Sequence, residues 1–266
     1  MAQDLDNLKD IQGVLLDLDG TVFVGDRLVP GAADAVAALR RGGVPMRFGT
    51  NTTRMSRSSL VERMHRLGLE LDAEEVLTAP LAAASWLEQK GLWNLSLCVP
   101  EATHDDFGHF TVNEISPQAV VVGDLGAGWD FSRLNRAFNH IMEGAEFVAL
   151  QRNRYWDTGQ GLALDAGAFV TALEYATGRV AEVMGKPSPA FFQAAADSMG
   201  VDLFNLAVVG DDIGTDVAGA QACDAAAVLV RTGKFRDDDL SRRAPKPDLI
   251  LDSVASLPAA LGVAFS

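Results

Sequence analysis

Apolar residues along this chain come in short blocks that stop at acids and glycines. Val14-Leu15-Leu16 runs into Asp17-Leu18-Asp19-Gly20-Thr21, a pattern that predicts a buried strand ending in a polar loop. A second block, 45–48, ends at Gly49-Thr50-Asn51, and a third, 206–209, ends at Gly210-Asp211-Asp212. Blocks 226–230 and 249–251 read as further strands. Helical patterns lie between them. Segment 31–41 is Ala-rich with Val36 and Leu39 on one face, and Gly42-Gly43 stops it. Ser59-Leu60-Val61-Glu62 fits a capping box, and Leu60, Met64 and Leu67 recur at helical spacing, predicting a helix over 57–67. Ser188-Pro189 opens another helix, with its body over 191–199 and Gly200 as its cap.

Strand–helix–strand alternation at both ends of the chain predicts a parallel sheet covered by helices on both faces. The middle contains helix-like pieces at 81–89, 131–144 and 167–177 and strand-like ones at 95–99, 119–122 and 147–150. It reads as an α/β domain inserted into the core, so the expected organisation is core 1–79, inserted domain 80–183, core 184–266. No internal repeat or low-complexity tract interrupts it.

Composition narrows the function. A chain of 266 residues, 48% hydrophobic and 22% charged, can bury the cores of two such units. Lys+Arg 22 against Asp+Glu 36 gives 22 − 36 = −14, which repels nucleic acid and anionic membrane surfaces and requires a local positive patch for any phosphate substrate. Two cysteines, Cys98 and Cys223, make no disulfide framework or metal cluster. No apolar run approaches the roughly 18 residues of a membrane span. The polar, acidic start over 1–10 carries no secretory pattern, so a cytoplasmic setting is expected.

The candidate chemistry sits at the strand ends. Asp17 and Asp19 are two apart, so on an extended backbone both carboxylates project to one side, a spacing that serves a nucleophile and a neighbouring acid/base. Gly20 lets the chain turn sharply and leaves room beside the backbone. An EF-hand does not fit, because Gly20 stands at the fourth position of such a loop and Leu28 at the twelfth. Thr50 and Asn51 offer a hydroxyl and an amide to a phosphoryl oxygen. Lys186, in Gly185-Lys186-Pro187-Ser188, precedes a helix start whose free backbone donors favour anions. A P-loop does not fit, since Pro187 follows the lysine. Asp211, Asp212 and Asp216 crowd behind an apolar strand and call for a cation, and hard carboxylate oxygens without nearby histidine favour magnesium. Asp157-Thr158-Gly159 occurs once and reads as a turn, and His65, His104, His109 and His140 have no ligand spacing.

Taken in order, Asp17-x-Asp19-Gly20-Thr21, Thr50, Lys186 and Gly210-Asp211 with Asp216 resemble the haloacid dehalogenase (HAD) phosphatases. An insertion between Thr50 and Lys186 resembles the C2-type cap of the NagD-like and 4-nitrophenylphosphatase-like subfamily, as does Gly49-Thr50-Asn51-Thr52-Thr53. Likeness is strongest over 161–236, with Gly161-Leu162-Ala163-Leu164-Asp165, Ala172-Leu173-Glu174-Tyr175-Ala176, Gly185-Lys186-Pro187-Ser188-Pro189 and Val230-Arg231-Thr232-Gly233-Lys234-Phe235-Arg236. There it is similar to the branch acting on phospholysine, phosphohistidine and inorganic pyrophosphate.

The resemblance implies a Rossmann-like HAD core with an inserted α/β C2 cap, and an aspartyl-phosphate mechanism with Asp17 as nucleophile and Asp19 as acid/base. It assigns Mg²⁺ to the carboxylates of Asp17 and Asp211 and the backbone carbonyl of Asp19, with Asp216 as a ligand or support, and the transferring oxygens to Thr50, Asn51 and Lys186. It also implies a cap that closes over the site, with 151–156 as its substrate loop, and pairing of caps in a homodimer. The expected substrate is a small phosphorylated compound of P–N or pyrophosphate type. Phosphomonoesters of sugars or nucleotides are the alternative, and a non-enzymatic module that accepts a phosphoryl group on Asp17 is a third reading.

Overall fold

The computed structural model describes residues 8, 10–53, 55–157, 161–241 and 245–263. The chain opens with β1 (Gly13–Asp17), the short β2 (Phe23–Val24) and β3 (Arg27–Leu28), α1 (Ala32–Arg41), β4 (Met46–Thr50), α2 (Arg57–Leu67) and β5 (Val76–Thr78). It continues through α3 (Ala79–Gln89), β6 (Asn94–Cys98), β7 (Thr111–Val112), β8 (Ala119–Val122), α4 (Phe131–Met142) and β9 (Glu146–Ala149). Then come β10 (Tyr155–Asp157), β11 (Leu162–Leu164), α5 (Ala166–Thr177) and β12 (Glu182–Val183). The last elements are α6 (Pro189–Met199), β13 (Leu206–Gly210), α7 (Ala218–Gln221), β14 (Ala226–Val230), α8 (Asp237–Ser241), β15 (Leu249–Leu251) and α9 (Leu257–Ala260).

These elements group into two units. Met1–Thr50, Ser59–Leu77 and Lys186–Ser266 form the first, and Asn51–Ser58 with Thr78–Gly185 form the second. Segments 51–58, 78–79 and 184–185, expected in the core, group with the second unit.

The first unit is built on a six-stranded sheet in the order β15-β14-β13-β1-β4-β5. β1 pairs in parallel with β13 on one side and β4 on the other, and every residue of β1, β13 and β14 is buried. Strands covered on both faces cannot alternate polar with apolar, which is why these read as unbroken apolar runs. Val14, Leu16, Phe48, Val209 and Val228 pack with Leu39 and Met64 from the helices, while α6 packs against β1 and β4. From β1 the chain runs outward to β4 and β5, then returns to the other side of β1 at β13. The strand order therefore reverses at β1, and α/β sheets bind ligands beyond the carboxyl ends of the strands at such a reversal.

Local capping chemistry sets several boundaries. α1 ends at Gly42, whose N–H donates to Ala38 O, and Gly43 follows with φ 69. α6 starts at Ser188 with Pro at its first position and stops at Gly200, φ 68. α2 begins at Arg57, so Ser59 lies inside its first turn and the expected Ser59–Glu62 box does not cap the helix start.

The second unit has its own sheet, ordered β12-β9-β8-β6-β7 with parallel pairs, and an antiparallel β10–β11 pair. Cys98, Val120, Val122, Ala137, Ile141, Phe147, Val170 and Leu173 form its core. Asp130 caps α4 by accepting from Arg133 N at 2.7 Å. In the expected turn Asp157-Thr158-Gly159, residues 158 and 159 lie outside the described residues. Among the described residues no helix is long and apolar enough to cross a membrane.

Candidate active site

With Leu16 opposite Val209 in the β1–β13 pair, Asp17 at the end of β1 and Asp211 just past β13 leave the sheet at the same edge. On the other side Gly49 faces Asp17, which puts Thr50 one residue beyond it. Lys186 enters from the segment before α6. Its Nζ donates to Asp17 Oδ1 at 2.6 Å and to Asp216 Oδ1 at 2.7 Å. Asp17, Lys186, Asp211 and Asp216 are 8%, 3%, 2% and 2% exposed. One oxygen from each of the three acids lies within 4.8 Å of the others.

Glycines make this crowding sterically possible. A Cβ on Gly210 would stand 2.1 Å from Asp216 Cγ. Asp212 Oδ1 accepts from Gly214 N at 2.7 Å and Thr215 N at 3.1 Å, turning the chain into the wide turn Ile213–Val217 that carries Asp216 back over the strand end. Asp216 Oδ2 accepts from Asp212 N at 3.3 Å. Gly20, at φ 100, and Gly233, at φ 59, close on Asp211 from two loops, and a Cβ on either would lie 2.0 Å from Asp211 Oδ2. Thr232 Oγ1 ties the loops together by donating to Gly20 O at 2.5 Å, and Lys234 N donates to Asp211 Oδ2 at 2.5 Å. Gly20→Ala combines a disfavoured left-handed backbone with that overlap. It should lower stability by about 2 kcal/mol or more in urea unfolding, and an unchanged midpoint would contradict this packing.

The electrostatics follow from three buried acids, two of which, Asp17 and Asp216, share one buried ammonium. Burial, then the Asp17 charge, push Asp211 up to about 8 against the donation from Lys234 N. Burial also pushes Asp216 up to about 6, held back by Lys186. Burial alone would drive the proton off Lys186, but Asp17 and Asp216 outweigh it and hold its pKa above the usual lysine range. Asp17 Oδ2 is buried without a hydrogen-bond partner among the described residues. A negatively charged cluster with an orphaned carboxylate oxygen and only oxygen donors suits a hard divalent cation. Among the described residues this is the one group of three or more acidic, His or Cys side chains placed to hold a metal ion.

Four of the expected site residues, Asp17, Lys186, Asp211 and Asp216, thus converge. Thr50 is buried at the end of β4 in the same unit. Asp19 is exposed on the loop after β1, with a backbone bridge to Phe23. Asn51 is half-buried and is the first residue of the second unit. The expected substrate loop is largely anchored within its own unit. Gln151 is buried, bonded to Asp165 and to Asn153 N, and Arg152 pairs with Glu174 at 2.7 Å, which leaves Arg154 and Tyr155 exposed. Gln151 is therefore a packing residue, its amide spent on the chain itself. Thr232-Gly233-Lys234, which the sequence marks by a Gly-containing polar stretch after the buried run 226–230 and by its likeness to the family, joins the site without a role that the sequence assigns.

Comparison with known proteins accords with this geometry. A haloacid dehalogenase-like hydrolase family model matches residues 14–104, and a second HAD-hydrolase-like model matches 183–257. The chain is 37% identical over 261 residues to the phospholysine phosphohistidine inorganic pyrophosphate phosphatase of Rattus norvegicus, covering 96% of each chain. It is 39% identical over 245 residues to haloacid dehalogenase-like hydrolase domain-containing protein 2 of Pongo abelii, covering 92% of this chain and 93% of that one. The structure of a glycerol phosphate phosphatase from Mycobacterium tuberculosis in complex with magnesium superposes with a TM-score of 0.84 at 29% identity, covering 94% of this chain and 77% of that one. The chain belongs to the haloacid dehalogenase-like hydrolase family and is one of its phosphatases.

Proposed function

We propose that this phosphatase works with magnesium through an aspartyl-phosphate on Asp17 and acts on small P–N or pyrophosphate-type compounds. The observation that carries the reading is the state of Asp17: one oxygen is fixed by Lys186 at 2.6 Å, and the other is buried with no hydrogen-bond partner among the described residues. An anion so placed can be aimed at an electrophile. The Asp17 carboxylate attacks phosphorus in line through one of its oxygens. Its bond to phosphorus forms as the bond to the leaving atom breaks, and the Asp19 carboxyl gives its proton to that atom. Asp19, exposed on its loop, then takes a proton from water, whose oxygen attacks phosphorus and releases phosphate and Asp17. Thr50, Asn51 and Lys186 hold the transferring oxygens.

Magnesium bound by Asp17, Asp211 and the Asp19 carbonyl would neutralise carboxylate and phosphoryl charge. Asp216 stands behind it, since both of its oxygens already accept hydrogen bonds. The magnesium in the mycobacterial neighbour supports this choice of ion.

The proposed substrate class rests on the 37% identity to the rat phosphatase. The name of the mycobacterial neighbour, a glycerol phosphate phosphatase, favours the second reading, a phosphomonoesterase of small metabolites. A panel of imidodiphosphate, pyrophosphate, sugar phosphates and nucleotides, with magnesium or EDTA, separates them. Preference for the P–N and P–O–P compounds is expected, and monoesters turned over far faster would overturn the first reading.

A metal test needs no turnover. Asp211 and Asp216 have folded pKa values of about 8 and about 6, above their ordinary 3.8, so the metal-free folded protein binds more protons than the unfolded chain and loses stability as pH rises. Protons also compete with the ion, directly at Asp211 and through the charge of the cluster at Asp216. The rise in Tm on adding magnesium should therefore be small at mildly acidic pH and grow through the interval from about 6 to about 8. Equal shifts at every pH, measured by calorimetry against EDTA, would exclude these carboxylates as the metal site.

A further inference from the structure

Three cations stand on the loop after β14, and two are committed. Arg231 pairs with Asp237 at 3.0 Å and lies over the Phe235 ring at 5.2 Å, and Arg236 donates to Gly233 O at 3.1 Å and Phe235 O at 2.7 Å. Lys234 differs. Its backbone N–H is fixed on Asp211 Oδ2 at 2.5 Å, while its side chain is 64% exposed and its Nζ reaches, among the described residues, only Asp212 Oδ2, at 3.6 Å. That distance is an ion pair without a hydrogen bond, so the donors of the ammonium remain available.

We propose that Lys234 is a specificity-determining residue whose ammonium binds a second anionic group on the substrate, the one carried by the leaving group, so that the site prefers a diphosphate over a monophosphate. This deepens the proposed function and rests on it. Lys186 and the bound ion serve the transferred phosphoryl group, but Lys186 is 3% exposed and bonded to two carboxylates, so it has nothing left for a second anion. An exposed cation tethered through its own backbone to Asp211 is placed for that purpose, since its anchor survives while its side chain moves. The leaving phosphate of pyrophosphate carries the required charge beside the scissile bond, whereas phospholysine leaves as an amine whose only anionic group, the α-carboxylate, lies at the far end of the side chain. Within the proposed substrate class Lys234 therefore selects P–O–P and P–N–P compounds over phosphoamino acids.

The test uses analogues that cannot be hydrolysed. Methylenediphosphonate and methylphosphonate are titrated calorimetrically, with magnesium, into the wild type, Lys234→Ala and Lys234→Arg. All three proteins keep the backbone N–H on Asp211. The wild type should favour the diphosphonate, and Lys234→Ala should reduce that preference by about tenfold, the scale of one hydrogen bond to a charged group. Lys234→Arg should retain most of it. If Lys234 only neutralised the acids, both ligands would weaken together and the ratio would hold. A ratio unchanged in Lys234→Ala, or no preference in the wild type, overturns the assignment to Lys234 alone. Failure of the wild type to bind either analogue overturns the phosphoryl-transfer reading as well.

Discussion

Asp17→Asn should abolish turnover, by roughly 10⁴-fold or more, while the protein stays folded. The amide keeps the shape of the carboxylate but cannot attack phosphorus, and it weakens the hold on magnesium. The fold should survive because the substitution removes one of three mutually repelling acids, and Lys186 keeps its bond to Asp216 at 2.7 Å. Asp211 should also titrate closer to an ordinary carboxylate, since burial and then the neighbouring Asp17 charge are what push it up to about 8. Steady-state rates and thermal unfolding on one preparation check both halves. Near-normal rates in a folded Asp17→Asn variant would remove Asp17 from the chemistry.

Lys186→Ala should be costly twice over. It leaves Asp17 and Asp216 buried without their shared ammonium, and removing one partner from a buried ion pair typically costs about 3–5 kcal/mol. Activity should fall about 10²–10³-fold, because an oriented cation beside the transferring oxygens is lost. Magnesium should restore part of the lost stability by supplying positive charge to the same oxygens. Urea unfolding with and without magnesium, alongside kinetics, measures this. A Lys186→Ala variant as stable as the wild type in EDTA would mean that the acids are not sharing that charge.

Much of this site was legible in the sequence because its parts end buried strands. Asp17, Thr50 and Asp211 each follow an apolar block, and a parallel sheet whose order reverses at β1 brings those block ends to one edge. Helix ends such as Ser188-Pro189 and Gly200 were equally plain, since caps depend on a few neighbouring residues. What escaped depends on distant partners. The loop holding Gly233 and Lys234 matters because it folds onto Gly20, more than two hundred residues away, a contact that its own Gly-containing polar stretch does not reveal. The two-residue strands β2, β3, β7 and β12 are too short to show a period. Ser59 has the residue types of a cap but sits inside α2, because where a helix starts is settled by packing as well as by capping.

Everything proposed for the reaction depends on Asp17 carrying the phosphoryl group. Quenching the enzyme in acid during turnover of radiolabelled pyrophosphate, then mapping the label by peptide mass spectrometry, tests this directly. The expected result is label on the peptide containing Asp17, lost in Asp17→Asn. Label on another residue, or steady turnover with no labelled enzyme under conditions that preserve acyl phosphates, would contradict the account.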